Sequence, residues 1–365
     1  MGRVRPITED DIPRVADLFV RVYRGDKKAS SQHLKAFFHR ILFRHPWSAD
    51  ALPSLGYQDD RGEIVGFLGV MPRRMSIHGR PVRLALPHTF MVEPDRRGIP
   101  GVRLLKEFLE GPQDLSLSDV ANDTSRRMWE QLGGVTSLLY SMHWVRYLRP
   151  CRYLVSNKCG ASTPLAFALR PFCRVGDTIA TRTFSSPYRL SRPPHLEEDL
   201  SVEAFLACLS EFSGRPFLQP AYDVHSLDWL LKLLEETAER QRDMGTFQKV
   251  LVRDGGQKVV GWYLYYLSRT GLSQVVQIGA SPQTISEVLD HLFYHAWRQG
   301  AIALQGRVVP PFLGVFLNKC SRFYAGSPWV MVHSRRPELS GVVSRGEALL
   351  STLEGECWRW LQAAL

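Results

Sequence analysis

Apolar positions recur at helical spacing twice near the start of the chain. In TEDDIPRVADLFVRVYRG, Ile12, Val15, Leu18, Phe19 and Val22 fall on one face behind an acidic first turn that Thr8 is suited to cap. SSQHLKAFFHRILFRHP repeats the pattern and stops near Pro46. A short strand, RVRPI, precedes both. The pattern then changes to extended runs, LPSLGYQDD, GEIVGFLGVMPRRMSI and RPVRLALPHTFMVEP, with DDRG and IHGRP as turns between them. A helix VRLLKEFLEG, a strand QDLSLSDVA, a helix DTSRRMWEQLGG with a Gly stop and a strand region VTSLLYSMHWVRYLRP follow.

Residues 151–195 lose this periodicity. They are rich in Pro, Ser, Thr and Arg and read as a connector with some extended structure. A second pattern then begins. LSVEAFLACLSEF and SLDWLLKLLEETAERQ are helices, and FQKVLVRD, KVVGWYLYYLSR and LSQVVQIGA are strands. SEVLDHLFYHAWRQG is a helix, AIALQGRVV a strand, PPFLGVFLNKC a helix and SPWVMVHS a strand. The tail EALLSTLEGECWRWLQAAL reads as an amphipathic helix. LGYQDDRGEIVGFLGV lies on VLVRDGGQKVVGWYLY without a gap, so that Asp59, Val65, Gly66 and Phe67 match Asp254, Val260, Gly261 and Trp262. The shared order of elements predicts an internal duplication. The expected units are 1–150, a connector at 151–195, a second copy at 196–345 and a terminal helix at 346–365.

Charge sharpens this division. The net charge of +10 is uneven: residues 1–150 carry 23 basic and 17 acidic side chains, 151–195 carry 7 and 1, and 196–365 carry 16 and 18. A polyanionic partner of the first half or the connector is one reading, either a phosphate-rich cofactor or RNA; an ordinary solvated basic surface is the other. Without 18 consecutive apolar residues no membrane span is expected. The opening MGRVRPITEDD is not a signal peptide, and six cysteines without CxxC spacing fit a reduced, cytoplasmic protein.

The stretch MVEPDRRGIPG ends a predicted strand and opens a predicted helix, the arrangement in which backbone amides hold a phosphate. With ANDTSRRMWEQLGG, it makes residues 3–150 resemble the GCN5-related N-acetyltransferase (GNAT) family, and the second half resembles a degenerate copy. The resemblance implies an α/β fold of two tandem units, each a mostly antiparallel, splayed sheet flanked by helices. It implies acyl-CoA as co-substrate, with acetyl-CoA the expected one. Against the family pattern Q/R-x-x-G-x-G/A, Arg96 takes the first position, Ile99 the middle glycine and Gly101 the last. A second register makes Gly98 the middle glycine and needs one extra residue. Pro100 lacks an amide donor and Ile99 adds a side chain; Arg96, Arg97 and Arg103 are candidates to compensate. The resemblance assigns cofactor contacts to Met91, Val92, Arg96, Arg97, Gly98, Gly101, Val102 and Asn122. Trp129 stands where many members carry a tyrosine acid, and an indole donates only N–H. QIGASPQT, the equivalent loop of the second half, has no arginine, so the first half is the expected cofactor side.

Acyl transfer to an amine requires a proton acceptor and a donor to the carbonyl. Glu93, His88 and Asp119 are the candidate bases. Strand alternation places His88, Phe90 and Val92 on one face and Glu93 on the other. Glu93 pairing with Arg96 or Arg97, and His88 as a satisfied sheet residue, are the structural alternatives. His291 and His295 share a helix face but lack a third ligand at sensible spacing, so no metal site is expected. The leading reading is an acyl-CoA-dependent N-acyltransferase acting on a small-molecule or polymer amine. Aminoacyl transfer from tRNA, as in Fem-like enzymes, and a non-catalytic binding protein are the alternatives.

Overall fold

The computed structural model describes residues 2–25, 30–48, 52–159, 163–182, 190–212 and 218–356. Its first half runs β1 (Arg3–Pro6), α1 (Ile12–Phe19), α2 (Gln32–Phe43), β2 (Leu55–Gln58), β3 (Ile64–Ile77), β4 (Arg80–Val92), α3 (Ile99–Leu109), β5 (Leu115–Ala121), α4 (Asp123–Gln131), β6 (Val135–Thr136) and β7 (Met142–Tyr147). Two helices follow, α5 (Pro150–Cys159) and α6 (Pro164–Arg182). The second half comprises β8 (Leu196–Asp199), α7 (Val202–Phe212), β9 (Gln219–Pro220), α8 (Val224–Arg240), β10 (Thr246–Arg253), β11 (Val259–Leu267), β12 (Leu272–Ala280), α9 (Ile285–Arg298), β13 (Ala303–Arg307), α10 (Leu313–Lys319), β14 (Arg322–Ala325), β15 (Trp329–His333) and α11 (Pro337–Ser344).

Local chemistry explains the early elements. Thr8 and Asp11 form a capping box, and Asp11 also accepts two hydrogen bonds from Arg5. Ser31 caps α2 by accepting from Leu34 N. The β3–β4 hairpin turns on His78 and Gly79, both at positive φ, as a two-residue turn between right-twisted strands demands.

The strands form two mixed sheets. The first has the order β1-β2-β3-β4-β5-β15-β6, with β9 added beside β3. The second, read from its β8 edge, is β8-β10-β11-β12-β13-β7-β14. Each holds one parallel pair, β4 with β5 and β12 with β13. Gly66 and Gly261, matched in sequence, sit at matched places on β3 and β11. A Cβ on Gly66 would press on Leu104 of α3, and one on Gly261 would press on Val288 of α9. Both glycines thus let a helix pack closely on the sheet.

The sheets exchange a strand. β15, from the second half, lies between β5 and β6, while β7, from the first, lies between β13 and β14. A boundary at residue 150 therefore does not separate the two sheets. Alternation marks both segments as strands but carries no information about which sheet receives them. The main apolar core reflects the same interlocking: Phe38 of α2, Phe67 of β3, Leu230 of α8 and Trp262 of β11 belong to one cluster.

Two expectations need correction. The connector is helical over Pro150–Cys159 and Pro164–Arg182, with Pro171 inside the second helix. Its mixed composition hid the pattern: among the described side chains of the second helix the buried ones are Cys173 and Asp177 rather than large apolar residues. The tail is not a helix over 347–356, which runs as an extended stretch and turns; the rest of the expected helix, 357–365, lies outside the described residues. The five described cysteines are free thiols. Among the described residues no helix is long and apolar enough to cross a membrane.

Candidate active site

β4 and β5 pair only at Leu84–Leu115 and Ala85–Ser116, and then diverge. A bulge drives the divergence: between Phe67–Met91 and Gly69–His88, two residues of β4 oppose one of β3. Thr89, in the bulge, has φ +49, a conformation that a β-branched residue adopts only under strain. The resulting wedge is a cavity of about 250 Å³ walled by Phe90, Leu105, Ser118, Asn122 and Trp129, with Tyr23 at its mouth. Tyr23 projects from a π-helical turn, Val20–Arg24, that continues α1, and its hydroxyl donates to Phe90 O at 3.4 Å. Neither Tyr23 nor the bulge was evident from residue patterning; both follow from backbone irregularities.

The bulge overturns the simple alternation expected here. Phe90 and Val92 lie beside Gly101 of α3, whereas the His88 ring stands over Gly69 within the influence of His45 and Arg73. Only a glycine at 69 leaves room for that ring. His88 lines the wedge, bonded through Nδ1 to Thr89 Oγ1 at 3.0 Å. Burial first, then the positive field of His45 and Arg73, pushes its pKa down to about 3. Glu93 is bound at 2.8 Å by Arg21 rather than by Arg96 or Arg97. Glu93 donates its N–H to Val65 O on β3. Because N–H directions alternate along a strand, Met91 also faces β3 and Val92 turns its N–H away from β3, to the side from which β5 has diverged.

Beyond Glu93 the chain makes a short 3₁₀ turn, Pro94–Arg96, and reaches Gly98 at φ +112, where a side chain would be strained. Gly98 is the N-cap of α3, and its carbonyl accepts from Val102 N. The first-turn amides of Ile99 and Gly101 have no intrahelical acceptor, and Pro100 has no amide to offer. Arg96 and Arg97 are exposed beside this helix start. Arg103 is turned away from it and donates to Gly2 O at 3.0 Å, so it does not replace the lost amide. Asn122 caps α4 by accepting from Ser125 N at 2.8 Å. Trp129 is buried against Phe108.

Asp119 faces the other way. Arg307 of β13 reaches its Oδ2 at 2.9 Å and also donates to its backbone carbonyl, and Glu356 N donates to Oδ1 at 2.9 Å. A Cβ at Gly355 would overlap the carboxylate, so glycine permits this approach. Asp119 thus braces β5, β13 and the end of the described chain. It borders a second cavity, of about 400 Å³, between the sheets, with His143, Asp243, Gln274, Tyr324 and Glu356. His143 stacks on Tyr324 at 5.2 Å, and burial, reinforced by Arg307, lowers its pKa to about 4. Val120 and Glu356 line both cavities. Glu356 lies beyond any motif, and only tertiary structure brings it here.

His291 and His295 are core residues whose Nδ1 atoms pair with the hydroxyls of Tyr263 and Tyr265 at 2.9 Å. No metal-binding group of three side chains occurs among the described residues.

Residues 3–111 match the acetyltransferase (GNAT) domain model. No curated protein matches the chain by sequence. Among solved structures, a probable N-acyltransferase of unknown function from Enterococcus faecalis V583 aligns over 92% of this chain and 73% of its own, at 12% identity and TM-score 0.57. A GCN5-related N-acetyltransferase from Kribbella flavida aligns over 91% and 70%, at 14% identity and TM-score 0.55. Eis1 from Mycobacterium abscessus aligns over 94% and 76%, at 12% identity and TM-score 0.52. At such identities the likeness is one of fold.

Proposed function

The chain carries a GNAT acetyltransferase domain at residues 3–111, and from that premise we propose that it transfers an acyl group from acyl-CoA to an amine held between its two sheets. The observation that carries this reading is the junction of the two cavities at Val120 and Glu356. The wedge residues fit such a co-substrate. Val92 offers an N–H on an unpaired strand edge, Phe90, Leu105 and Trp129 offer apolar wall, and the start of α3 offers two amides beside Arg96 and Arg97. Bound there, acyl-CoA supplies the acyl group, with acetyl the expected one.

The chain's own residues then have distinct tasks. The Val92 N–H donates to the acyl carbonyl oxygen as negative charge grows on it. Glu356 takes the proton of the incoming ammonium, since the residue lines both cavities. His88, with its pKa near 3, stays neutral at ordinary pH and holds the bulge through Thr89. Glu93 and Asp119 serve as anchors for Arg21 and Arg307. Trp129 cannot protonate a leaving thiolate, so that proton comes from water.

Calorimetry with acetyl-CoA and longer acyl-CoAs tests the first part. Saturable binding is expected, weakened in Arg96→Ala with Arg97→Ala. No binding at millimolar CoA would sink the reading and bring forward transfer from charged tRNA or a non-catalytic role. Glu356→Gln should keep acyl-CoA affinity and lose turnover; full turnover in that variant would remove Glu356 from its role.

A further inference from the structure

A cavity of about 370 Å³ lies where the α5–α6 hairpin meets the β11–β12 turn and the end of α9. It shares no residue with the wedge or the inter-sheet cavity. Arg152 of α5, Arg174 of α6, Arg269 of the turn and Arg298 of α9 all line it, and its lining holds no Asp or Glu. Ser156 Oγ donates to Thr270 O and ties α5 to the turn that carries Arg269. Four like charges gathered around one hollow repel one another, and a cleft of one sign concentrates its potential inside.

Two of the four charges are balanced from outside the lining. Glu197 accepts from Arg298, and the buried Asp177 lies 3.6 Å from Arg152 Nε. The other two are not. Neither Arg174 nor Arg269 has a carboxylate partner among the described residues. Asp177 is the one acid between residues 151 and 195, so the stretches 160–162 and 183–189, outside the described residues, bring none. Capping of α9 explains only part of this arrangement. The last carbonyls of a helix attract cations. Arg149, which is not in the lining, already donates to Trp297 O and Ala301 O. Arg269 serves Gln299 O through Nε, with its stem packed beside Gly300, and its terminal nitrogens remain for another acceptor. Arg174 is exposed and serves none of these carbonyls.

We propose that this cavity binds a small molecule through a phosphomonoester group, held by Arg174 and Arg269 in the added field of Arg152 and Arg298. A phosphomonoester carries about −1.5 to −2 charges at neutral pH, which matches the two unbalanced guanidiniums. The planar fork of a guanidinium fits two phosphate oxygens at once. Size selects a small ligand. The volume falls in the lower part of the range for small-molecule pockets, about 300–1,000 Å³, and Val155 and Ile302 offer apolar wall to the rest of the molecule. A nucleic-acid strand is tracked instead by an extended basic groove.

The test is calorimetry of the full chain with inorganic phosphate, at an ionic strength fixed with chloride. It is run on the wild type and on Arg96→Ala with Arg97→Ala, which removes any phosphate held at the start of α3. Saturable binding is expected in both, about tenfold weaker or more in Arg174→Glu and in Arg269→Gln. Arg174 is solvent-facing, so Arg174→Glu should melt with the wild type and stays readable if Arg269→Gln, which loses the bond to Gln299, unfolds. No saturation at millimolar phosphate overturns the proposal, as does binding that survives Arg174→Glu. Binding lost in Arg96→Ala with Arg97→Ala overturns it as well and assigns the phosphate to the wedge. RNA retained on a filter and released by Arg174→Glu, without phosphate saturation, gives the arginines to a polymer instead. Acyl-CoA affinity should not move in Arg174→Glu, so failure here is distinct from failure of the acyltransferase reading.

Discussion

The two sheets share one strand order, yet the openings where their parallel pairs diverge differ in size, about 250 Å³ in the first and about 80 Å³ in the second. In the first sheet β4 and β5 separate after two residue pairs, leaving the wedge open. In the second, β12 and β13 separate after three, and the smaller opening there, lined by Ile278, Gly279, Ala280, Val309 and Phe312, is narrowed by the chain's own packing on β12. Thr352 N donates to Val276 O at 3.2 Å, and Gln277 Nε2 donates to Glu354, which is also bonded by Tyr222. The loops differ in the same sense. After β12, the Ser281 and Thr284 side chains bond each other and each other's amides, so the donors are used internally. After β4, no side chain among the described residues caps the α3 amides, and two arginines stand beside them. Backbone groups must be paired somewhere. The start of α9 thus spends its donors internally, whereas the start of α3 leaves its amides available to the co-substrate proposed above.

The largest effect should come from the brace that joins the copies. Arg307→Ala leaves Asp119 buried without its cation, and losing one partner of a buried pair costs about 3–5 kcal/mol. The urea midpoint should fall accordingly. A loss below about 1 kcal/mol would show that the pair behaves as a surface contact and does not join the copies.

Acid should weaken both copies next. His88 in the first copy and His291 in the second are buried neutral, with pKa values lowered to about 3 and about 4, first by burial. In the unfolded chain each titrates at its ordinary value, so the unfolded state binds more protons as pH falls below that value. Stability is complete above it and declines toward the folded pKa. At about 1.4 kcal/mol per unit, His88 contributes roughly 3 kcal/mol to the acid loss. Urea unfolding near neutrality and near pH 4 should show that His88→Gln shrinks this loss, as His291→Gln should in the second copy. An undiminished loss in His88→Gln would mean that the bulge is not an acid-sensitive part of the molecule.

Sequence patterning carried the succession of strands and helices, including the strand–turn–helix at 91–101, because these depend on local spacing. Val65–Gly66–Phe67 and Val260–Gly261–Trp262 fall on β3 and β11 as the ungapped match requires. What escaped it depends on contacts distant in the chain. β7 and β15 are visible as strands, but their exchange is decided by edges formed nearly two hundred residues away. Asp119 is a plausible base until Arg307 and Glu356 occupy it. The His88 face was misjudged because one bulge residue inverts alternation, and nothing in PHTFMV announces a bulge.

The matched glycines offer a finer comparison. A Cβ at Gly66 would lie 3.0 Å from the flexible end of Leu104. At Gly261 it would lie 2.7 Å from Val288 Cγ2 and would overlap the backbone carbonyl of Gly279. A leucine methyl can swing aside, and a paired strand cannot. Gly261→Ala should therefore lower stability by about 1–3 kcal/mol, the usual range for overpacking, with Gly66→Ala clearly milder. Equal losses in thermal or urea melts would indicate that α3 is as tightly seated on its sheet as α9.

The smallest effect is the most direct on the loops. Pro100→Ala gives the start of α3 a third amide beside those of Ile99 and Gly101, without touching the core. A hydrogen bond to a charged group is worth about 1.5 kcal/mol or more, so acyl-CoA affinity should rise by roughly tenfold. Pro282→Ala makes the same change after β12, where the Ser281 and Thr284 side chains already serve the amides, and affinity should not move. Calorimetry on both variants reads the comparison at single-amide resolution. A gain from Pro100→Ala alone places the phosphates at the first loop. Unchanged affinity in both would place them on Arg96 and Arg97 without help from the helix, and the proline would then be neutral for binding.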